Sequence, residues 1–154
     1  MSMLKRYRKK GGFKQLLCLL ETCAPKKCEQ LLNLIKVEDS HWHQILSEKM
    51  ISIEKIYSWD SSIITEIVTI LPIRTMAIAL KGAPEGSFEK TCECLTHFKR
   101  RELEELFKDL KAGPGEILAA QIKFVEKVRE LADNGILVFE RFAPELVIDE
   151  REVA

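Results

Sequence analysis

The chain has 154 residues, 46% of them hydrophobic, which suits one packed domain or two small helical units and excludes a disordered chain. Lysine plus arginine equals aspartate plus glutamate at 24 each, so no net field favours nucleic acid or an anionic membrane. No apolar run approaches the ~20 residues of a membrane span. Five cysteines, an odd number, do not make a disulfide framework and fit a reducing, cytosolic setting.

The charges are unevenly placed. Lys5, Arg6, Arg8, Lys9, Lys10 and Lys14 crowd the start, and Glu145, Asp149, Glu150 and Glu152 crowd the end. The basic start runs into Gly11-Gly12 without the apolar core of a secretory signal, and residues 1–11 read as a disordered tail. From there every readable segment has helical period, and the fold class is all-α. Phe13 to Glu21 carries Phe13, Leu16, Leu17 and Leu20 on one face. Pro25 opens the next helix, with Cys28, Leu31, Leu32 and Ile35 at core spacing. Asp39 and Ser40 cap a third, built on Trp42, Ile45 and Leu46.

Between Ile51 and Trp59 the period weakens, and this stretch reads as a boundary between two units. The second unit opens with Ile63, Ile64, Ile67, Val68 and Leu71. Pro72 starts a helix through Met76, Ala77 and Leu80 to Lys81, with Gly82 as a left-handed stop. A further helix runs from about Pro84 to Leu95 with Phe88, Cys92 and Leu95 inward. From Phe98 to Leu110 an apolar stripe of Leu103, Leu106, Phe107 and Leu110 underlies a densely charged surface. Gly113-Pro114-Gly115 ends that segment. The last long helix, Glu116 to Asp133, carries Ile117, Ala120, Phe124, Val128 and Leu131 and closes at Asn134-Gly135. Ile136 to Phe139 is a short apolar piece, and the chain beyond Arg141 reads as a frayed tail.

Little here points to catalysis. His41 and His43, or Cys92, Cys94 and His97, could be named as metal ligands, but residues at i, i+2 on a helix diverge. A structural zinc site needs paired ligand motifs that this chain lacks. Cys94 and His97 stand at i, i+3, yet no glycine-rich loop or oxyanion turn accompanies them. The chain therefore reads as a non-enzyme with no metal and no cofactor. The basic run has only Tyr7 for stacking, which argues against nucleic acid. The charged helix is most informative: mixed charges on an apolar stripe suit reversible, electrostatically steered protein contact, each exposed pair giving ~0–1 kcal/mol.

Several stretches, in order along residues 12 to 140, resemble the C-terminal part of the FliG family of flagellar motor switch proteins. They are Glu38-Asp39-Ser40, Met50-Ile51-Ser52-Ile53 and Asp60-Ser61-Ser62-Ile63, then Thr75 to Ala83 and Glu89-Lys90. His97 to Arg101, Gly113-Pro114, Ala120-Gln121, Val128 to Leu131 and Asn134 to Val138 continue the match. The resemblance implies an armadillo-like helical unit over 12–50, a hinge over 51–59 and a six-helix-type FliG domain over 60–140. An acidic tail over 141–154 follows.

The resemblance also implies a rotor component at the flagellar basal body, cytoplasmic and peripheral to the inner face of the membrane without inserting into it. Its charged helix would contact the cytoplasmic loop of the stator protein MotA, taking part in torque generation and rotation switching. FliM and neighbouring FliG or FliG-like subunits are the other implied partners. Residue by residue, Lys81, Arg101, Lys108 and Asp109 match the torque surface, and Met50, Ile51 and Ile53 match the hinge.

The chain departs from the family pattern at several places. Isoleucines replace two hinge phenylalanines, Lys108 reverses the first charge of an acidic pair, and Glu116 stands near a usual arginine. The FliF-binding N-terminal domain and the FliM-binding motif of the middle domain are not found. A cut-down chain and a divergent short paralogue both fit, as does a helical adaptor that has lost stator contact.

Overall fold

The protein is described here by a computed structural model covering residues 2–153. Among these residues all regular structure is helical. The helices are α1 (Gly12–Thr22), α2 (Pro25–Glu38), α3 (Ser40–Lys49), α4 (Ile53–Ile56), α5 (Ser61–Val68), α6 (Ile73–Leu80), α7 (Ser87–Cys94), α8 (His97–Asp109), α9 (Pro114–Asp133) and α10 (Phe139–Phe142). Short 3-10 turns lie at Leu4–Tyr7 and Pro144–Leu146. The chain forms two compact units, one from residues up to Met50 together with those from Val138 onward, the other Ile51–Leu137.

The first unit is held by one apolar cluster of Leu4, Phe13, Leu16, Leu17, Leu20, Ile35, Trp42, Ile45 and Leu46. The periodic positions of α1 and α3 supply most of it, and Phe13 meets Trp42 edge-on at 5.2 Å. Asp39 caps α3 by accepting from the Trp42 amide at 3.1 Å.

Neither end of the described chain behaves as the tail its composition suggests. Leu4 and Leu146 are buried, and Ile148 and Val153 pack on the cluster. Glu38 accepts the amides of Met3 and Leu4 and the hydroxyl of Ser2, satisfying donors at the start of the first 3-10 turn. Arg8 pairs with Asp39 at 2.6 Å and lies 4.3 Å over the Trp42 ring. On the other side the Lys49 ammonium donates to the Glu145 carbonyl and sits 4.0 Å from the Glu152 carboxylate. Burial of a few apolar side chains and these pairings order two segments whose charge alone favours solvation.

The second unit contains α4 to α9. Helix α9 packs chiefly along α6, α8 covers α6 and α7, and α5 lies against α7. Ile56, Ile64, Ile67, Val68, Met76, Ala77, Leu103, Phe124 and Val128 are sealed from solvent. The weak period between Ile51 and Trp59 has a local cause: α4 is a single turn, capped by Ser52, whose hydroxyl accepts from the Lys55 amide at 3.2 Å. Ile51, Ile53, Ile56, Tyr57 and Trp59 are nevertheless buried. Lys90 holds this stretch by donating to the carbonyls of Tyr57 at 2.9 Å and Trp59 at 2.7 Å.

Gly82 is not the left-handed stop its sequence position suggests; the positive-φ glycines are Gly11, Gly86 and Gly135. Its role is close approach. A β-carbon there would lie 2.7 Å from Ile117 Cγ2 and 2.9 Å from Gln121 Nε2, so the missing side chain lets α9 reach the end of α6. Gly86, at φ 87°, instead sets the entry to α7, which begins at Ser87 rather than near Pro84.

Candidate functional site

Helix α8 begins where the Thr96 hydroxyl accepts from the Lys99 amide at 3.3 Å. Leu103 is fully buried beneath it, with Leu106, Phe107 and Leu110 half-buried along the same stripe. Arg100 turns inward and donates from Nε to the Cys92 carbonyl at 2.9 Å, tying α8 to α7. Beyond the exposed Phe98 of its first turn, the outer surface is charged: Arg101, Glu102, Glu104, Glu105, Lys108 and Asp109 are all exposed. Arg101, Lys108 and Asp109 have no ion-pair partner among the described residues.

Lys81, the fourth residue expected on this surface, sits differently. It caps α6, is half-buried, and donates from Nζ to the Phe107 carbonyl at 2.6 Å. The same ammonium lies 3.9 Å from the centroid of the Phe107 ring, which stacks at 4.4 Å on Phe88. That carbonyl belongs to the last turn of α8, where acceptors lack intrahelical donors and the helix dipole favours a cation. Lys81 therefore braces α6 to the end of α8, and its charge is partly spent inside the unit. Its pairing with Phe107, 26 residues away, has no local spacing that a sequence could reveal.

The residues expected at the hinge bracket the division of the chain. Met50 is half-buried and ends α3, its amide donating to the Leu46 carbonyl at 3.0 Å. Ile51 opens the second unit, and both it and Ile53 are buried.

The histidines and cysteines weighed as ligands do not converge. His41 Nε2 lies 3.1 Å from the Glu152 carbonyl. Cys92 is buried, and that burial pushes its thiol pKa up. Cys94 donates to the Ser61 carbonyl at 3.5 Å, and His97 is exposed at the start of α8. Among the described residues no three histidine, cysteine or carboxylate side chains gather as a metal site would require. No helix there is long and apolar enough to cross a membrane. What the arrangement offers is a rigid, solvent-facing helix with both signs of charge and a braced base.

The chain as a whole is similar to FliG proteins. The chain is 32% identical over 121 residues to the flagellar motor switch protein FliG of Aquifex aeolicus (strain VF5). That match takes in 76% of this chain but 36% of the relative, so the chain spans about a third of its length. The solved full-length FliG from Aquifex aeolicus superposes with a TM-score of 0.54 at 29% identity, over 80% of this chain and 39% of that one. A crystal structure of a FliG fragment from H. pylori shares the fold with a TM-score of 0.63 at 22% identity, over 83% and 61%. The family model described as the FliG C-terminal domain matches residues 33–139, from within α2 to the start of α10, and the chain belongs to that family.

Proposed function

We propose that this protein is a flagellar rotor and switch component that contacts the stator through α8 and acts at the cytoplasmic face of the basal body. The observation that carries this reading is the exposure of Arg101, Lys108 and Asp109 on a helix otherwise fixed by Leu103, Arg100 and Lys81. A rigid ridge of unpaired charges loses little conformational entropy when an oppositely patterned partner docks. The cytoplasmic loop of the stator protein MotA is the partner that family membership suggests. FliM and neighbouring FliG-type subunits are the others. No covalent chemistry is involved, and the protein works by binding rather than as an enzyme. Met50, Ile51 and Ile53 serve as the hinge for switching, at the junction where one compact unit gives way to the next.

A second reading has an observation of its own. Lys81 is committed to the Phe107 carbonyl and ring, leaving three of the four matched torque residues outward. A helical adaptor that keeps the fold and has lost stator contact would show the same bracing. Localisation separates the two. A fluorescently tagged copy should gather at flagellar motors in cells whether or not full-length FliG is intact. Gathering only beside intact FliG would make it a passenger on a ring built by others, and a diffuse signal in both strains would leave the adaptor.

A further inference from the structure

Three features meet where α2 turns into α3 at Asp39. Val37, on the last turn of α2, is 90% exposed, and Leu34 one turn before it is 57% exposed. The basic segment is fastened to the same corner: Glu38 accepts the Met3 and Leu4 amides, Arg8 pairs with Asp39, and the Lys9 carbonyl accepts from the Gly12 amide at 2.9 Å. That anchoring leaves Lys5, Arg6, Lys9 and Lys10 exposed and without an ion-pair partner among the described residues. The acidic end reaches the corner from the other terminus, with the Glu152 carbonyl 3.1 Å from His41 Nε2 in the first turn of α3. Buried Leu146 holds this end down, while Glu145, Asp149 and Glu150 stay exposed and also lack ion-pair partners among the described residues. One corner of the unit thus carries an apolar centre with both signs of charge beside it.

We propose that this corner is a self-association surface whose partner is a second copy of the chain. Two copies related by a half-turn through Val37 set the basic segment of each against the acidic end of the other, with both Val37 side chains between them. A patch that carries both signs is complementary to its own rotated copy, whereas a partner of one sign meets repulsion beside every attraction. Exposed ion pairs hold weakly on their own, so covering Val37 and Leu34 supplies the affinity and the charges fix the register. Both charged segments lie outside residues 33–139, the stretch that matches the FliG C-terminal domain, so family membership does not imply this contact. The proposal goes beyond the stator reading and is independent of it, because α8 lies in the second unit.

Sedimentation velocity of the purified full chain tests this, with reductant present so that free cysteines do not cross-link the copies. At low ionic strength the chain should pass, as concentration rises, from its 17.7 kDa monomer to a species of twice that mass and no further. Added salt should weaken the dimer. Val37→Ser should raise the dimer dissociation constant roughly tenfold or more. The double variants Lys5→Glu/Lys9→Glu and Glu145→Lys/Glu150→Lys should each stay monomeric, and an equimolar mixture of the two should restore the dimer. Val37→Ser, on the open surface, keeps the test decisive whatever the charge reversals do to the fold. A chain that remains monomeric at every concentration and salt would overturn the proposal. So would growth past two copies, a dimer indifferent to Val37→Ser or to either reversal, or a mixture of folded double variants that does not associate.

Discussion

Gly12 has no room for a β-carbon: one placed there would lie 2.1 Å from the Tyr7 carbonyl oxygen, a backbone atom that cannot swing aside. Gly82 meets only side chains, those of Ile117 and Gln121. Both Gly12→Ala and Gly82→Ala should lower the thermal midpoint, with losses on the scale of roughly 1–3 kcal/mol for overpacking and Gly12→Ala the more severe. Asp39 is a second residue with a definite expectation. The Arg8 guanidinium and the Trp42 amide hold its carboxylate pKa below the ordinary value. A depressed folded pKa gives stability that is present above about pH 4 and is lost as pH falls through the folded value. Glu38, lowered chiefly by the Ser2 hydroxyl and then by the Leu4 and Met3 amides, has the same sign. Acid titration of Trp42 fluorescence in a Trp59→Phe background should therefore show a shallower acid loss in Asp39→Asn than in the parent. An unchanged slope would mean that the Arg8 pairing contributes nothing to folding.

Within α8 the buried and exposed positions make opposite demands. Leu103 is sealed, and Leu103→Ala should cost about 2–5 kcal/mol by cavity formation. Lys81→Met removes a cation from the helix end and from the Phe107 ring, for a loss of about 1 kcal/mol. Arg101→Glu and Asp109→Lys, on the open surface, should stay within ~0.5 kcal/mol of the parent in denaturant melts. Much of this helix was legible beforehand, because period is local: the Leu103 stripe and the outward charges follow from spacing, whereas Gly113-Pro114, read as its stop, is the start of α9, and α8 already ends at Asp109. The roles of Gly82 and Lys81 were not. Each depends on a neighbour brought in by tertiary packing, Ile117 for one and Phe107 for the other, which no local pattern encodes.

At the scale of the molecule, the ends of the chain matter more than their composition suggests. Charge density predicts solvated tails, while Leu4, Leu146, Ile148 and Val153, a few apolar residues among many charges, place both segments in the first unit. The described residues outside the family match, 2–32 and 140–153, contribute to this same unit. Leu146→Ala should accordingly speed amide exchange in α1 and α3 and leave α6 and α9 protected, since the second unit has its own core. Uniform loss of protection across both units would contradict that division.

The proposed docking of α8 on the stator can be tested by binding of the purified chain to the MotA cytoplasmic loop across a salt series. Affinity should fall as salt rises, and Arg101→Glu or Asp109→Lys should weaken it without altering the melt. Affinity indifferent to both charge reversals and to salt would contradict it and leave the adaptor reading in its place.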